Sequence, residues 1–170
     1  MTTGDLDTEV SVRSAGIADA EGLARLLEAF IVEEGKPPGG PIEAATLAQW
    51  LAPPEPRFRA LIGIAPGRAL GYLAYYGAFS LFKPGPVLLV ENLYIVPEAR
   101  GSGLGRRLMA AAAKEAERLG YQRLELHVRN DRPAAGRFYE ALGLVAAGES
   151  VYRIEDGSLA ALAEGTDRRR

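Results

Sequence analysis

Arg100-Gly101-Ser102-Gly103-Leu104-Gly105-Arg106-Arg107 stands between an almost wholly apolar run, Val87 to Val96, and a helical pattern, Leu104 to Leu119. The spacing predicts a strand, a tight turn and a helix. Gly101, Gly103 and Gly105 have no Cβ, so the backbone can take strained dihedrals and approach a bulky group closely. The first amides of the helix lack intrahelical partners and, with the helix dipole, favour a phosphate or pyrophosphate. A phosphorylated cofactor is the expected occupant.

The rest of the chain reads outward from this turn. Upstream, Val10 to Arg13 is a short strand, and Asp19 precedes a helix with Leu23, Leu26, Leu27, Phe30 and Ile31 on one face. The Gly35 to Pro41 segment breaks that helix, and Glu43 to Leu51 forms a shorter one, ended by Pro53, Pro54 and Pro56. Phe58 to Ile64 and Ala69 to Phe79, joined by Ala65-Pro66-Gly67-Arg68, read as an antiparallel pair. Val87 to Val96, interrupted only by Glu91 and Asn92, reads as a buried central strand.

Downstream, Leu104, Leu108, Ala112 and Ala116 form an i, i+4 row, and Gly120 supplies the stop. Arg123 to Val128 alternates, Pro133 starts a helix that Gly143 closes, and Val151 to Ile154 is expected as a final strand. The order predicts an α+β, or mixed α/β, domain: one twisted mixed sheet flanked by helices, over residues 1–155, with a tail over 156–170. In that tail only Leu159 to Ala163 is apolar, and Gly165 to Arg170 is expected to fray.

Composition removes several classes of function. The net charge of −2 argues against binding nucleic acid through a generally basic surface. No apolar run approaches a membrane span and no basic-then-apolar leader opens the chain, so a cytosolic protein without a membrane partner is expected. With no cysteine and His127 as the single histidine, covalent catalysis loses its usual residues and metal sites lose their usual ligands. No metal is expected, and group transfer should be direct. A Rossmann fold would put its glycines after the first strand, and a P-loop would carry lysine where Arg106 stands.

Arg100 to Gly105, with Pro133 and Arg137-Phe138-Tyr139-Glu140-Ala141-Leu142-Gly143 downstream, resembles the GNAT superfamily of N-acetyltransferases. Gly71 to Tyr76 and Glu91 to Ile95 look most like its diamine and spermidine/spermine branch. The resemblance extends from Val10 to Ile154. It implies a splay between the central strand and the next parallel one, with acetyl-CoA lying in the opening. The pyrophosphate would meet the turn from Arg100 through Gly101, Ser102, Gly103, Leu104 and Gly105 to Arg106, and the pantetheine the backbone of Leu93, Tyr94 and Ile95. Arg132 departs from the pattern, since many relatives carry Asn there, and a side-chain contact to the cofactor arm is altered. The resemblance implies acetyl transfer to a small-molecule primary amine, a diamine or polyamine included, by direct attack in a ternary complex, with dimerisation through the final strands. Acetylation of a protein, amino-acid or aminoglycoside amine, or a non-catalytic CoA-binding module, are the alternatives.

Each candidate side chain has a plainer competitor. Glu91 inside an apolar strand would be desolvated, its pKa raised, and suited to accept a proton from an alkylammonium. The competing reading is a solvent-facing or arginine-paired strand residue. The resemblance makes Tyr139 the proton donor to the departing thiolate, whereas a Phe138-Tyr139 pair on a helix is otherwise core. Arg106 and Arg107 either neutralise phosphate or are ordinary exposed arginines. His127 and Glu149 are candidate acceptor-site residues, and Glu28, Glu33 and Glu34 either draw a polycation or form a solvated helix face.

Overall fold

The computed structural model describes residues 10–35, 42–154 and 163. Most of the expected tail, including Gly165 to Arg170, lies outside them. The chain forms two compact units, Met1–Arg129 and Asn130–Arg170.

The first unit is built on five strands in the order β1-β2-β3-β4-β5. They are β1 Ser11–Ser14, β2 Arg59–Ala65, β3 Arg68–Ser80, β4 Gly85–Ile95 and β5 Arg123–Leu126. Neighbours from β1 to β4 are antiparallel, and β4 pairs with β5 in parallel. Helices α1 (Ala20–Glu33) and α2 (Ala44–Leu51) intervene between β1 and β2, and α3 (Leu104–Arg118) is the crossover from β4 to β5.

The side-chain alternation of β3 sorts the helices onto two faces. Tyr72, Ala74 and Tyr76 line a cavity with residues of α1 and α2, whereas the hydroxyl of Tyr75, between them, donates to Glu115 on α3 at 3.3 Å. The predicted row Leu104, Leu108, Ala112 and Ala116 is the buried face of α3. Its first member packs where β2 has Gly63, at which a Cβ would lie 2.6 Å from Leu104 Cδ1. That glycine seats the N-terminus of α3 flush against the sheet.

β1 is tied to the start of α1 by Arg13, which donates to both carboxylate oxygens of Asp19 at 2.7 Å. The Gly16 amide donates to the same carboxylate at 2.8 Å. The hydrogen bonds from Arg13 are the largest cause holding the Asp19 carboxyl below its ordinary pKa. A depressed folded-state pKa stabilises the fold above the unfolded value, about 4, and that stability is lost as pH falls through the folded value. In urea titrations, Asp19→Asn is therefore expected to be less stable than the parent at pH 7, with the gap closing below about pH 4. The partial exposure of Arg13 keeps the effect modest.

The second unit contains α4, Pro133–Glu140. Proline in its first turn fits a position whose N–H would lack a partner in any case. The expected strand Val151 to Ile154 does not form: these residues are in no ladder, and Val151, Tyr152 and Ile154 are exposed. Four residues carry too little pattern to define a strand without a paired neighbour.

Candidate active site

β4 changes character at Glu91. Ala74 stands opposite Asn92 and Tyr75 opposite Val90, so Glu91 is an extra, bulged residue. The parallel ladder also stops here, at Val90 with Leu126, although β4 continues to Ile95. Among the described residues, no strand pairs with that edge of β4 beyond Val90. The expected splay thus begins at a bulge, a device that locally ends pairing and re-aims side chains.

The Val96 amide bonds back to Leu70 of β3 at 3.0 Å. By the alternation of an antiparallel ladder, the backbone groups of Tyr94 also turn to β3 and those of Leu93 and Ile95 to the splay. The carbonyl of Ile95 is used locally, accepting from Arg100 Nε at 3.0 Å.

The turn after β4 leads into an uncapped helix. Gly101 and Gly103 have φ of 78° and 81°, in the left-handed region where a Cβ is penalised. Gly103 is the N-cap of α3, and no side chain caps the helix. Ser102, the residue type that usually would, donates instead to the Ala99 carbonyl at 2.7 Å. The amides at Leu104, Gly105 and Arg106 are first-turn groups without intrahelical partners, an arrangement that can hold an anion.

The arginines around this turn divide sharply. Arg107 donates to the Val10 carbonyl at 2.6 Å and ties α3 to the N-terminal segment. Arg106 is exposed and makes no hydrogen bond or ion pair among the described residues, so it is available to a phosphate. Arg100 donates to Glu33 at 2.5 Å and lies 5.8 Å from the centroid of the Tyr94 ring, which itself packs on Phe30. Its side chain fastens the end of α1 to β4, which leaves its backbone as the part that faces an anion.

Several acidic and basic candidates change role. Glu91 is exposed, not buried as its place in an apolar run suggested, because it is the extra residue of the bulge. Glu33 is paired with Arg100, and Glu34 accepts from Arg129 at 3.2 Å, which consumes two of the three carboxylates offered for a polycation. Glu28 is exposed on α1. β5 ends at Leu126, so His127 lies beyond the ladder and is exposed.

A cavity of about 250 Å³ opens over the α1/α2 face of the sheet. Its floor is Tyr72, Ala74 and Tyr76 of β3 with Glu91 and Asn92 of β4; the bulge is what lets two successive β4 residues share one face. Its walls are Leu23 and Leu27 of α1, Leu47 and Trp50 of α2, and Phe58. Burial, and secondarily the Glu91 charge, raise the Tyr76 phenol above its ordinary pKa. The same two causes, in the same order, raise Tyr72 further. Both hydroxyls are therefore protonated through the neutral range. Sequence reasoning missed Tyr72, Tyr76, Asn92 and Trp50. The one available signal was Glu91-Asn92 itself, two polar residues in succession where a strand should alternate.

In the second unit Tyr139 is partly buried and packs edge-on against Phe138, ring centroids 5.1 Å apart. Burial raises its phenol pKa. Arg132 is the N-cap of α4 and its carbonyl accepts from the Ala135 amide at 3.0 Å, while Glu149 is exposed. Among the described residues no group of histidine, cysteine, aspartate or glutamate could hold a metal ion.

The sequence profile of the acetyltransferase (GNAT) family matches residues 23–144. The chain belongs to that family. It is 35% identical over 74 residues to the thialysine N-epsilon-acetyltransferase of Bos taurus, a span of 44% of this chain and 43% of the relative. It is 31% identical over 83 residues to an uncharacterized N-acetyltransferase, YhfO, of Bacillus subtilis (strain 168), a span of 49% of this chain and 56% of the relative. The chain thus spans about half the length of these curated relatives. Among solved structures, an aminoglycoside acetyltransferase from an uncultured soil metagenomic sample superposes with a TM-score of 0.76 at 14% identity, covering 89% of this chain and 98% of that one. The fold of this GNAT chain is accordingly that of the family: a mixed sheet flanked by helices.

Proposed function

We propose that this GNAT protein transfers an acetyl group from acetyl-CoA to a small primary amine by direct attack in a ternary complex. The observation that carries the reading is a continuous one. Among the described residues, the β5-side edge of β4 from Glu91 to Ile95 has no strand beside it, and β4 leads through the glycine turn into a helix whose first amides have no side-chain cap. These features fit the two ends of CoA. An extended, amide-bearing arm pairs with the backbone of Leu93 and Ile95 at the splay, beside Tyr94, and a pyrophosphate takes the amides from Gly101 to Arg106. Arg132 stands in the second unit as a further candidate contact.

Bound acetyl-CoA supplies an activated acetyl thioester. The chain supplies the rest. Glu91, at the floor of the cavity and beside the splay, attracts an ammonium group and receives its proton directly or through water, since the nitrogen must be neutral to attack. Tyr139, protonated and partly buried, returns a proton to the departing sulfur. The pairing of Glu33 and Glu34 with arginines weakens the polyamine form of the reading. His127, Glu28 and Glu149, all exposed, are further acceptor-site candidates. A homodimer, expected of such proteins, is measured by light scattering.

The test is thiol release from acetyl-CoA across a panel of amines. Glu91→Gln is expected to raise the amine KM about tenfold, the loss of a charge-assisted contact, and to shift the acid limb of the pH–rate profile. An unaltered limb with a raised KM would leave Glu91 as a binding carboxylate and remove it as the proton acceptor.

A further inference from the structure

Tyr72, one of the residues lining the cavity, is 3% exposed, and its buried hydroxyl has no hydrogen-bond partner among the described residues. Buried hydroxyls without partners are uncommon because the group gives up water and gains nothing in return. A ligand that reaches the floor of the cavity would provide the missing partner. Among the described residues, four of the five lining side chains that carry a polar group belong to that floor: Tyr72, Tyr76, Asn92 and Glu91. The walls offer hydrocarbon and aromatic surface from Leu23, Leu47, Trp50 and Phe58, with the indole N–H of Trp50 their one polar side-chain group among the described residues. Among the described residues, Glu91 is the single charged one lining the cavity.

We propose that the acceptor is an apolar monoamine, its amino group held over the β4 floor by Glu91 and the Tyr72 hydroxyl and its hydrocarbon body packed against α1 and α2. The inference rests on the acetyl-transfer reading and narrows it. A second ammonium on the same molecule would have to sit against the apolar walls with no counter-charge, which burial strongly disfavours. A phenol that stays protonated accepts a hydrogen bond from the amine while bound and donates one to its nitrogen as it becomes neutral.

The test is a series of amines with acetyl-CoA: butylamine, pentylamine, hexylamine, 1,6-diaminohexane, spermidine and kanamycin. Each methylene from butylamine to hexylamine is expected to raise kcat/KM about fourfold, the worth of a buried CH₂. Diaminohexane should fall at least about 100-fold below hexylamine, the second charge being left unpaired. Tyr72→Phe should raise the hexylamine KM several-fold, leave the acetyl-CoA KM unchanged and leave Tm unchanged or higher, because it removes an unpartnered buried hydroxyl. A hydroxyl with a purely structural role would instead lower Tm and leave the amine KM unmoved. Diaminohexane, spermidine or kanamycin matching hexylamine would overturn the inference and leave acetyl transfer standing. Acetyl-CoA that binds with no thiol released by any of these amines would overturn the wider reading instead.

Discussion

Tyr139→Phe lowers kcat by about 100-fold or more, the typical contribution of a positioned general acid, and changes the acetyl-CoA KM by less than about threefold. Phenylalanine keeps the ring and its edge-on contact with Phe138, so α4 retains its packing and the lost atom is the hydroxyl alone. A thiol has a pKa of about 8.5, so the departing thiolate is a moderate base that a phenol can serve by hydrogen bonding and proton transfer. Burial raises the Tyr139 phenol, so the proton is present across the neutral range. The measurement is steady-state kinetics on the favoured amine together with a thermal melt. A kcat within a factor of about two of the parent would remove Tyr139 from the chemistry.

Gly103→Val weakens acetyl-CoA binding by about five- to thirtyfold, which corresponds to the roughly 1–2 kcal/mol that a side chain pays in the left-handed region. Gly103 has φ of 81° and is the N-cap of α3, so it sets the direction in which the first amides point. A β-branched residue drives the turn toward another conformation, and binding must then restore the strained one. Open space surrounds a Cβ built at this position, so the penalty is conformational and α3 keeps its seat on Gly63. Isothermal titration with CoA checks it. Affinity equal to the parent's would show that these amides do not hold the pyrophosphate.

The fold was legible wherever an element was long and its pattern strong. The i, i+4 row of α3 and the apolar stretch of β4 each repeat a signal several times, and they locate the turn between them. Val151 to Ile154 had no such redundancy, and a strand exists only where something pairs with it. The glycine turn was legible because its chemistry is local. The cavity was not: Leu23, Trp50, Phe58, Tyr72 and Glu91 come from five separate segments, and each reads in isolation as ordinary core or surface. Glu91 was expected in a buried environment and is exposed. Its neighbours along the chain are apolar, yet an extra residue in a ladder obeys neither neighbour's burial. Arg100 shows the converse, a motif residue whose side chain is engaged elsewhere, with Glu33 and Tyr94, while its backbone remains at the turn.

The bulge at Glu91 makes β4 a strand written in two phases. Before it, Val90 faces α3 with Tyr75; after it, Asn92 faces α1 and α2 with Ala74, so odd and even positions exchange sides at one residue. A single inserted residue thus works as a frame shift in three dimensions. Upstream of it, drift in sequence is policed by the core alone. Downstream, the same alternation turns the side chain of Asn92 to the α1/α2 face and the backbone of Leu93 and Ile95 away from β3. A substitution at Asn92 therefore alters the cavity without disturbing the packing beneath Val90. The loss of that one inserted residue would remove the Glu91 carboxylate and turn the rest of the β4 floor to the wrong side of the sheet.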